Sequence, residues 1–496
     1  MSLLFDGLPG AEVLLALAVA LSLALAFEFV NGFHDTANAV ATVIYTNSLT
    51  STQAVVWAAL WNFLGVITSS GAVAFGVIEL LPVELVLHVG ASAGFAMIFS
   101  LLLSAILWNV GTWYFGLPAS SSHTLIGSIV GVGLTNAWIN GAGFGEGLNW
   151  GKLEETMMAL LVSPLVGFIA AAMLLLLSKA LIRNPALYRA PEGKAPPPAW
   201  IRGILVLTCT GVSFAHGSND GQKGMGLIML VLIGLLPATY ALRLATPQDN
   251  MQVLLVAAQG AQPVWDKAPL PAAFAGPMDS VVADAAISRF LTTGEMEPLT
   301  LPSLAFKNAR IVTAMTRFKS IGEMTTGQRS RLRRDVYLVD GGITRLLKSG
   351  AVRGDDAVKL KGLYDSLQLL TDYIPLWVKI AVAVALGLGT TVGWKRIVVT
   401  IGEKIGKSHL TYAQGASAEL VAMATVGAAG IVGVPVSTTH VLSSGVAGAM
   451  FANHSGLQKG TMRNILLAWV LTVPACMLLG SVLFAASLVV FLRLFG

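Results

Sequence analysis

The sequence predicts an all-α polytopic membrane protein with about ten to twelve membrane segments, broken or re-entrant pieces included. Three observations predict it. First, 55% of the 496 residues are hydrophobic and only 11% are charged, less than half of the roughly 25% found in soluble domains. A soluble fold could not cover so much apolar surface with so few charges, which excludes soluble globular, disordered and collagen-like classes. Second, apolar runs of spanning length fall near residues 11–30, 52–80, 91–114, 155–182, 200–215, 224–237, 373–394, 411–432 and 463–492. Third, polar clusters containing Gly or Pro interrupt these runs, which is how discontinuous helices and re-entrant hairpins read in sequence.

Residues 1–182 form a first membrane repeat with its following span. No Lys or Arg precedes the first apolar run, and Asp6 and Glu12 lie there, so the run reads as a retained span and not as a signal peptide. Residues 183–199, with Arg183, Arg189, Lys194 and the Pro196-Pro197-Pro198 run, form a basic, extended linker. Residues 200–237 begin a second membrane repeat and residues 373–496 complete it. Between them, residues 238–372 form a polar insert that holds 16 of the 31 Lys and Arg and 13 of the 26 Asp and Glu. Its stretch from Thr325 to Leu347, with Arg329, Arg331, Arg333 and Arg334, reads as a basic helix; the insert as a whole reads as a tether with some helices. The positive-inside rule puts linker and insert in the cytoplasm and the N-terminus outside. The net charge of +5 reports cytoplasmic loops and gives no sign of a nucleic-acid partner. Cys209 and Cys476 sit in apolar runs and read as buried thiols.

The polar clusters form two pairs. Phe29-Val30-Asn31-Gly32-Phe33-His34-Asp35 aligns with Phe214-Ala215-His216-Gly217-Ser218-Asn219-Asp220, and Gly116-Leu117-Pro118-Ala119-Ser120-Ser121-Ser122-His123 aligns with Gly433-Val434-Pro435-Val436-Ser437-Thr438-Thr439-His440. Asp35 to His123 spans 88 residues and Asp220 to His440 spans 220; the excess of 132 nearly equals the 135 residues of the insert. The second half is the first with a polar loop inserted. Matching polar interruptions in two halves point to a transporter binding site near mid-membrane. A duplication kept for packing alone would not need to retain costly polar residues.

Charges at bilayer depth cost roughly 2.5–3.5 kcal/mol each, so Glu28, Asp35, Asp220 and Lys223 must pair or line a wet cavity. In each Pro-x-Ser-hydroxyl-hydroxyl-His segment a helix starts at the hydroxyl cluster. Its free backbone N–H groups and positive dipole end attract an anion. Ser120, Ser121, Ser122, Ser437, Thr438 and Thr439 add neutral donors, and two such helix starts make an oxyanion cradle without Arg. The bland alternative is that the hydroxyls only cap helices. Asp35 and Asn38, like Asp220 and Lys223, share a helix face. Carboxylate and amide oxygens suit a hard cation such as Na⁺; a carboxylate can also carry a proton, accept a hydrogen bond from a protonated oxyanion, or serve a structural network.

At these motifs the chain resembles the Pit family of inorganic phosphate transporters. Asn31-Gly32-Phe33-His34-Asp35-Thr36-Ala37-Asn38-Ala39 is similar to the family's Gly-x-Asn-Asp-x-Ala-Asn-Ala signature, and His216-Gly217-Ser218-Asn219-Asp220 to its second copy. The resemblance spans nearly the whole chain and lies nearest the bacterial low-affinity, proton-coupled branch. It implies two inverted-topology repeats in a bacterial inner membrane, no cofactor, and a symporter importing inorganic phosphate with protons. That phosphate could be free or complexed with a divalent metal ion, and a homodimer stays open. By motif, phosphate contacts fall on Ser120, Ser121, Ser122, Ser437, Thr438 and Thr439, and cation or proton contacts on Asp35, Asn38, Asn219 and Asp220.

Two departures from the Na⁺-type pattern stand out. His34 replaces an Asn, and Lys223 replaces the Asn that Asn38 retains in the first copy. An ammonium beside Asp220 would repel a metal cation and could occupy its place, so Lys223 replaces Na⁺ and protons become the coupling ion, carried by Asp35, Asp220 or His34. Otherwise Lys223 snorkels to an interface. Glu28, His123 and His440 are supporting candidates; His88, His409 and His454 read as loop or interface residues. No His/Cys/Asp spacing makes a dedicated zinc site. The runners-up are Na⁺ coupling and another oxyanion such as sulfate, which offers no proton to an Asp acceptor. An intramembrane hydrolase built on Ser122 and His123 fails, because adjacent helical residues point about 100° apart and no third group orients them. A passive channel differs by its inability to accumulate solute uphill.

Overall fold

The computed structural model describes residues 11–81, 92–141, 148–191, 193, 195–267, 270–271, 274 and 276–495. Asp6, His88, Lys194 and the side chain of Glu12 lie outside the described residues. The first half contains α1 (Ala11–Tyr45), α2 (Ser51–Thr68), α3 (Ala72–Ile78), α4 (Ser92–Tyr114), α5 (Ser121–Ile139) and α6 (Trp150–Leu181). The second opens with α7 (Ala199–Leu235) and is interrupted by five insert helices, α8 (Gln248–Trp265), α9 (Ser280–Thr293), α10 (Thr300–Arg317), α11 (Thr326–Lys348) and α12 (Gly354–Thr371). It resumes with α13 (Leu376–Thr390), a short α14 (Lys395–Val399) that continues as a π-turn over Thr400–Lys404, then α15 (Tyr412–Val432), α16 (Thr438–Ala452) and α17 (Lys459–Phe495).

Among the described residues six helices, α1, α4, α6, α7, α15 and α17, are long and apolar enough to cross a membrane. Two helix pairs bent at short breaks, α2 with α3 (75°) and α12 with α13 (74°), would raise the number to eight if each were one span, but α12 packs into the core of the insert. The 15 residues of α16 rise only about 22 Å, short of the roughly 30 Å hydrocarbon core. It is the return arm of a hairpin with α15, as α5 is with α4. The chain is an all-helical, multi-pass membrane protein.

Apolar packing divides this bundle into two cores. Ala20, Ala24 and Phe27 of α1 pack with Leu227, Leu230 and Leu235 of α7 in one. Val40 and Val43 of α1 pack with Ile201 and Leu205 of α7 in the other. So α1 and α7 run in opposite directions, and the residues between, 28–36 and 213–224, form a polar layer at middle depth. Both helices pass through that layer unbroken. The interruptions expected at 31–35 and 216–220 are absent; only the Ser/Thr clusters break the helices, because only they carry Pro.

The motif glycines have a different use. A Cβ at Gly32 would collide with the Leu386 carbonyl of α13, and one at Gly389 with the Phe29 carbonyl of α1. Gly217 meets the Asn62 carbonyl of α2 in the same way, and Gly65 the Phe214 carbonyl of α7. Each motif glycine lets its helix cross another at backbone contact. Pairings match between halves as well: α1 packs on α13 as α7 packs on α2, and α5 on α17 as α16 on α6.

The 37 residues of α7 rise about 55 Å and cross the bundle once. The linker at 183–199 and the insert at 238–372 therefore sit at opposite ends, here named the linker face and the insert face. The expectation that both share one side does not hold, because no second crossing joins them. Nor is the insert a tether. Its helices bury their own core, with Trp265, Phe290, Leu304, Val336 and Leu363. Lys307, buried, bridges Asp284 (2.5 Å) and Asp335 (2.9 Å). The basic helix stands where the sequence put it, with Thr325 and Gln328 forming a capping box at the start of α11.

Candidate functional site

The two hairpin tips converge on α1. Gly116 and Gly433, both at positive φ (67° and 81°), turn the chain out of α4 and α15. Ser120 caps α5 and accepts from the His123 N–H (3.2 Å); Ser437 caps α16 and accepts from the His440 N–H (3.1 Å). For these two hydroxyls the capping role is what the geometry gives. The hairpins also touch each other, since Ser122 Oγ donates to the Val436 carbonyl (2.8 Å).

Asp35 stands between the two helix starts. Ser121 Oγ donates to its Oδ2 (3.0 Å) and Thr439 Oγ1 to its Oδ1 (2.7 Å), one hydroxyl from each half of the chain. Asn38, one turn on, donates to Thr439 Oγ1 (2.9 Å). His34 Nδ1 lies 3.0 Å from Asp35 Oδ1, and its Nε2 lies 3.2 Å from Thr112 Oγ1 of α4. Thr438 Oγ1 is buried and has no hydrogen-bond partner among the described residues.

The α7 cluster meets this group through His216. Its Nε2 lies 3.9 Å from Asp35 Oδ2 and 3.4 Å from Asp220 Oδ2, while its Nδ1 faces Asn62 Oδ1 at 3.0 Å. Lys223 Nζ is 2.9 Å from Asp220 Oδ1, and the lysine is fully buried. It does not snorkel. Asn219, with its amide donating to Asp220 Oδ1 (3.2 Å) and accepting from Gly430 N (3.3 Å), ties α7 to α15. Ligand atoms of Asp35, His216 and Asp220 all lie within 4.8 Å of one another, close enough to share one cation. Sequence spacing gave no such group, because the ligands come from two distant helices.

Glu28 lies two turns before Asp35 on α1. It is fully buried, and among the described residues neither carboxylate oxygen makes a hydrogen bond of ordinary geometry. Its side chain fills the space that a Cβ at Gly224 would take, and its charged neighbours include Lys223 and Asp220. His123 and His440 do not reach Asp35 directly. Their rings lie 4.5 Å apart, and His440 stacks on Trp469 at 4.0 Å. Trp469 in turn donates to the Pro118 carbonyl (3.1 Å), so the histidines brace the hairpins.

Three residues here went unassigned in the sequence. His216 lies in the second motif, i and i+4 with Asp220 on one helix. Glu419, buried in α15, is held by the hydroxyls of Thr208 and Thr42; it is the one charge in the apolar run 411–432. Asn62 likewise sits in an apolar run, bonded to His216 and to Thr390 (3.1 Å).

Charged and hydroxyl groups concentrated at mid-depth, where two hairpin tips meet two crossing helices, define a membrane transport protein. Residues 31–480 match the model of the phosphate transporter family. The chain belongs to that family. It is 43% identical over 500 residues to the low-affinity inorganic phosphate transporter PitA of Escherichia coli (strain K12), covering 98% of this chain and 99% of that one. It is 41% identical to PitB of the same organism (96% and 97% covered). It is 37% identical to the low-affinity inorganic phosphate transporter of Buchnera aphidicola subsp. Acyrthosiphon pisum (95% and 96% covered). A solved structure titled "The sodium-dependent phosphate transporter" aligns with a TM-score of 0.51 at 20% identity, over 97% of this chain and 100% of that one; it supports the fold alone.

Proposed function

We propose that this protein imports inorganic phosphate by proton symport across the bacterial inner membrane, with the two hairpin starts as the phosphate cradle. The observation that carries the reading is the double hydrogen bond to Asp35 from Ser121 and Thr439. An ionised Asp35 is an internal anion that takes the donors a phosphate would need. Protonation removes that competition, frees one hydroxyl from each half, and lets the carboxyl itself donate to a phosphate oxygen. Phosphate and proton then bind better together than apart, which is the linkage a symporter needs. His34 and His216 flank the carboxylate and give the proton a route, and Lys223 pairs with Asp220.

Lys223 supplies the positive charge that a Na⁺ would otherwise bring, which supports Na⁺-independent coupling. The matched pairings of the two halves, with α1 and α7 running in opposite directions, support inverted-topology repeats. Orientation follows from short loops. Among the described residues, linker-face segments 182–191, 391–411 and 453–459 carry seven Lys or Arg against one Glu, whereas insert-face segments 69–81, 140–141 and 148–149 carry one Glu and no Lys or Arg. The linker face is cytoplasmic by the positive-inside rule, and the insert lies outside.

Labelled phosphate uptake into proteoliposomes, with sulfate as competitor, tests the cradle. Ser121→Ala and Thr439→Ala each remove a charge-assisted hydrogen bond of about 1.5–3 kcal/mol, so uptake should fall roughly 10- to 100-fold and sulfate should not compete. Full uptake in the Ser121→Ala/Thr439→Ala double variant would overturn the assignment.

A further inference from the structure

We propose that the linker face carries a binding pocket for the headgroup of an anionic phospholipid, separate from the mid-membrane site and independent of what is transported. A cavity of about 650 Å³ opens there between the end of α4 and the segment 393–404. Three cations line it, Lys395, Arg396 and Lys404, together with the aromatic side chains of Trp113, Phe115 and Trp394, and no carboxylate does. The neighbouring Glu403 turns away to Tyr45.

The lining has two layers with different roles. Arg396 is already engaged: its Nη1 donates to the Tyr114 carbonyl (2.6 Å), and its guanidinium lies 5.0 and 4.8 Å from the Trp113 and Tyr114 ring centroids. It shapes the wall. Lys395 and Lys404 are exposed and make no ion pair among the described residues. Lys404 is the last residue of the π-turn Thr400–Lys404; such turns recur at functional sites. Phe115 is 75% exposed at the rim, which is unfavourable in water and ordinary at the membrane interface, where aromatic rings concentrate.

Cations over an aromatic floor at the positive face of a membrane protein fit a phosphodiester headgroup, with its acyl chains passing the aromatic rim. The place matters to the transport site. Trp113 Nε1 donates to the Gly393 carbonyl (2.7 Å), and Thr400 Oγ1 to the Gly116 carbonyl (2.8 Å). The pocket wall is thus bonded to the first hairpin, four residues before Ser120. A seated headgroup would hold the hairpin tip to the segment 393–404.

The experiment uses the full-length protein and native mass spectrometry with phosphatidylglycerol or phosphatidylcholine added in equal amounts. Phosphatidylglycerol should be retained in preference to phosphatidylcholine. The Lys395→Gln/Lys404→Gln variant, which leaves Arg396 in place, should lose that preference by about 30-fold, given the usual contribution of a basic residue near an anionic lipid surface. Equal retention of the two lipids by the unaltered protein, or an undiminished preference in the variant, would overturn the proposal. So would displacement of phosphatidylglycerol by millimolar inorganic phosphate, which would make the pocket a free-phosphate site instead.

Discussion

Replacing Lys223 with Asn gives the sharpest test of coupling. The residue is fully buried and its ammonium lies 2.9 Å from Asp220 Oδ1. At an effective dielectric constant near 20, two charges at that separation attract with about 6 kcal/mol. Removing one partner of a buried pair costs about 3–5 kcal/mol, because the other charge is left uncompensated. Lys223→Asn leaves Asp220 in that condition and restores at that position the amide that Asn38 offers beside Asp35. A small cation that enters would recover part of the deficit, and each 1.4 kcal/mol recovered is about tenfold in its affinity. In proteoliposomes the variant should therefore take up phosphate poorly without Na⁺ and be stimulated when Na⁺ is added, whereas the unaltered protein ignores Na⁺. The Asp220→Asn/Lys223→Met variant, which removes both charges, should fold with near-normal stability, separating lost coupling from lost structure. Lys223→Asn transport that is unchanged and indifferent to Na⁺ would refute the reasoning.

Three further predictions concern the framework. Ser120→Ala and Ser437→Ala should each lower thermal stability by about 1 kcal/mol, the usual value of a helix cap, with a smaller loss of uptake than Ser121→Ala; an equal loss would place the caps in the cradle. Gly217→Ala should destabilise the protein and impair uptake, since its Cβ meets the Asn62 carbonyl, while Gly203→Ala on the same helix meets nothing within 4 Å and should be neutral; thermal melting in detergent compares them. In the insert, burial, with Asp372 and Glu79 nearby, pushes the Asp340 carboxyl up from the ordinary carboxylate range, and burial also pushes Asp372 up to about 7. Their folded pKa values exceed the unfolded ones, so the folded insert holds these protons more tightly. Insert stability should be greatest at acid pH and fall as pH rises from about 4 toward 7, and Asp340→Asn should flatten that slope in hydrogen exchange; a rise with pH would contradict it.

How much was legible in the sequence follows from the cost of burying polar groups. Asp35, Asp220 and the paired Ser/Thr clusters stood out because nothing apolar about a membrane span explains them. Their pairing also located the insert, since the spacing excess matched its length. Which clusters break a helix was marked in the sequence only by Pro, which the Ser/Thr clusters alone hold. Gly32 and Gly217 looked like interruptions, yet each is a crossing point within a continuous helix. Ser122 and Ser120 looked like equivalent donors to Ser121, yet the structure spends one on a carbonyl of the other hairpin and one on a cap. The side of the insert was misread because its many basic residues belong to a folded domain with internal ion pairs such as Lys307 to Asp335. The short loops alone carry the orientation signal. Glu419 and Asn62 were single polar residues in apolar runs, and their partners lie on other helices, out of reach of any local pattern.

The measurement that bears most directly on the central claim is uptake of labelled phosphate into proteoliposomes under an imposed pH gradient, acid outside, with and without Na⁺. Proton symport through Asp35 predicts accumulation above equilibrium that follows the pH gradient, ignores Na⁺ and sulfate, and is lost in Asp35→Asn. Strict Na⁺ dependence, or equilibration without accumulation, would contradict it.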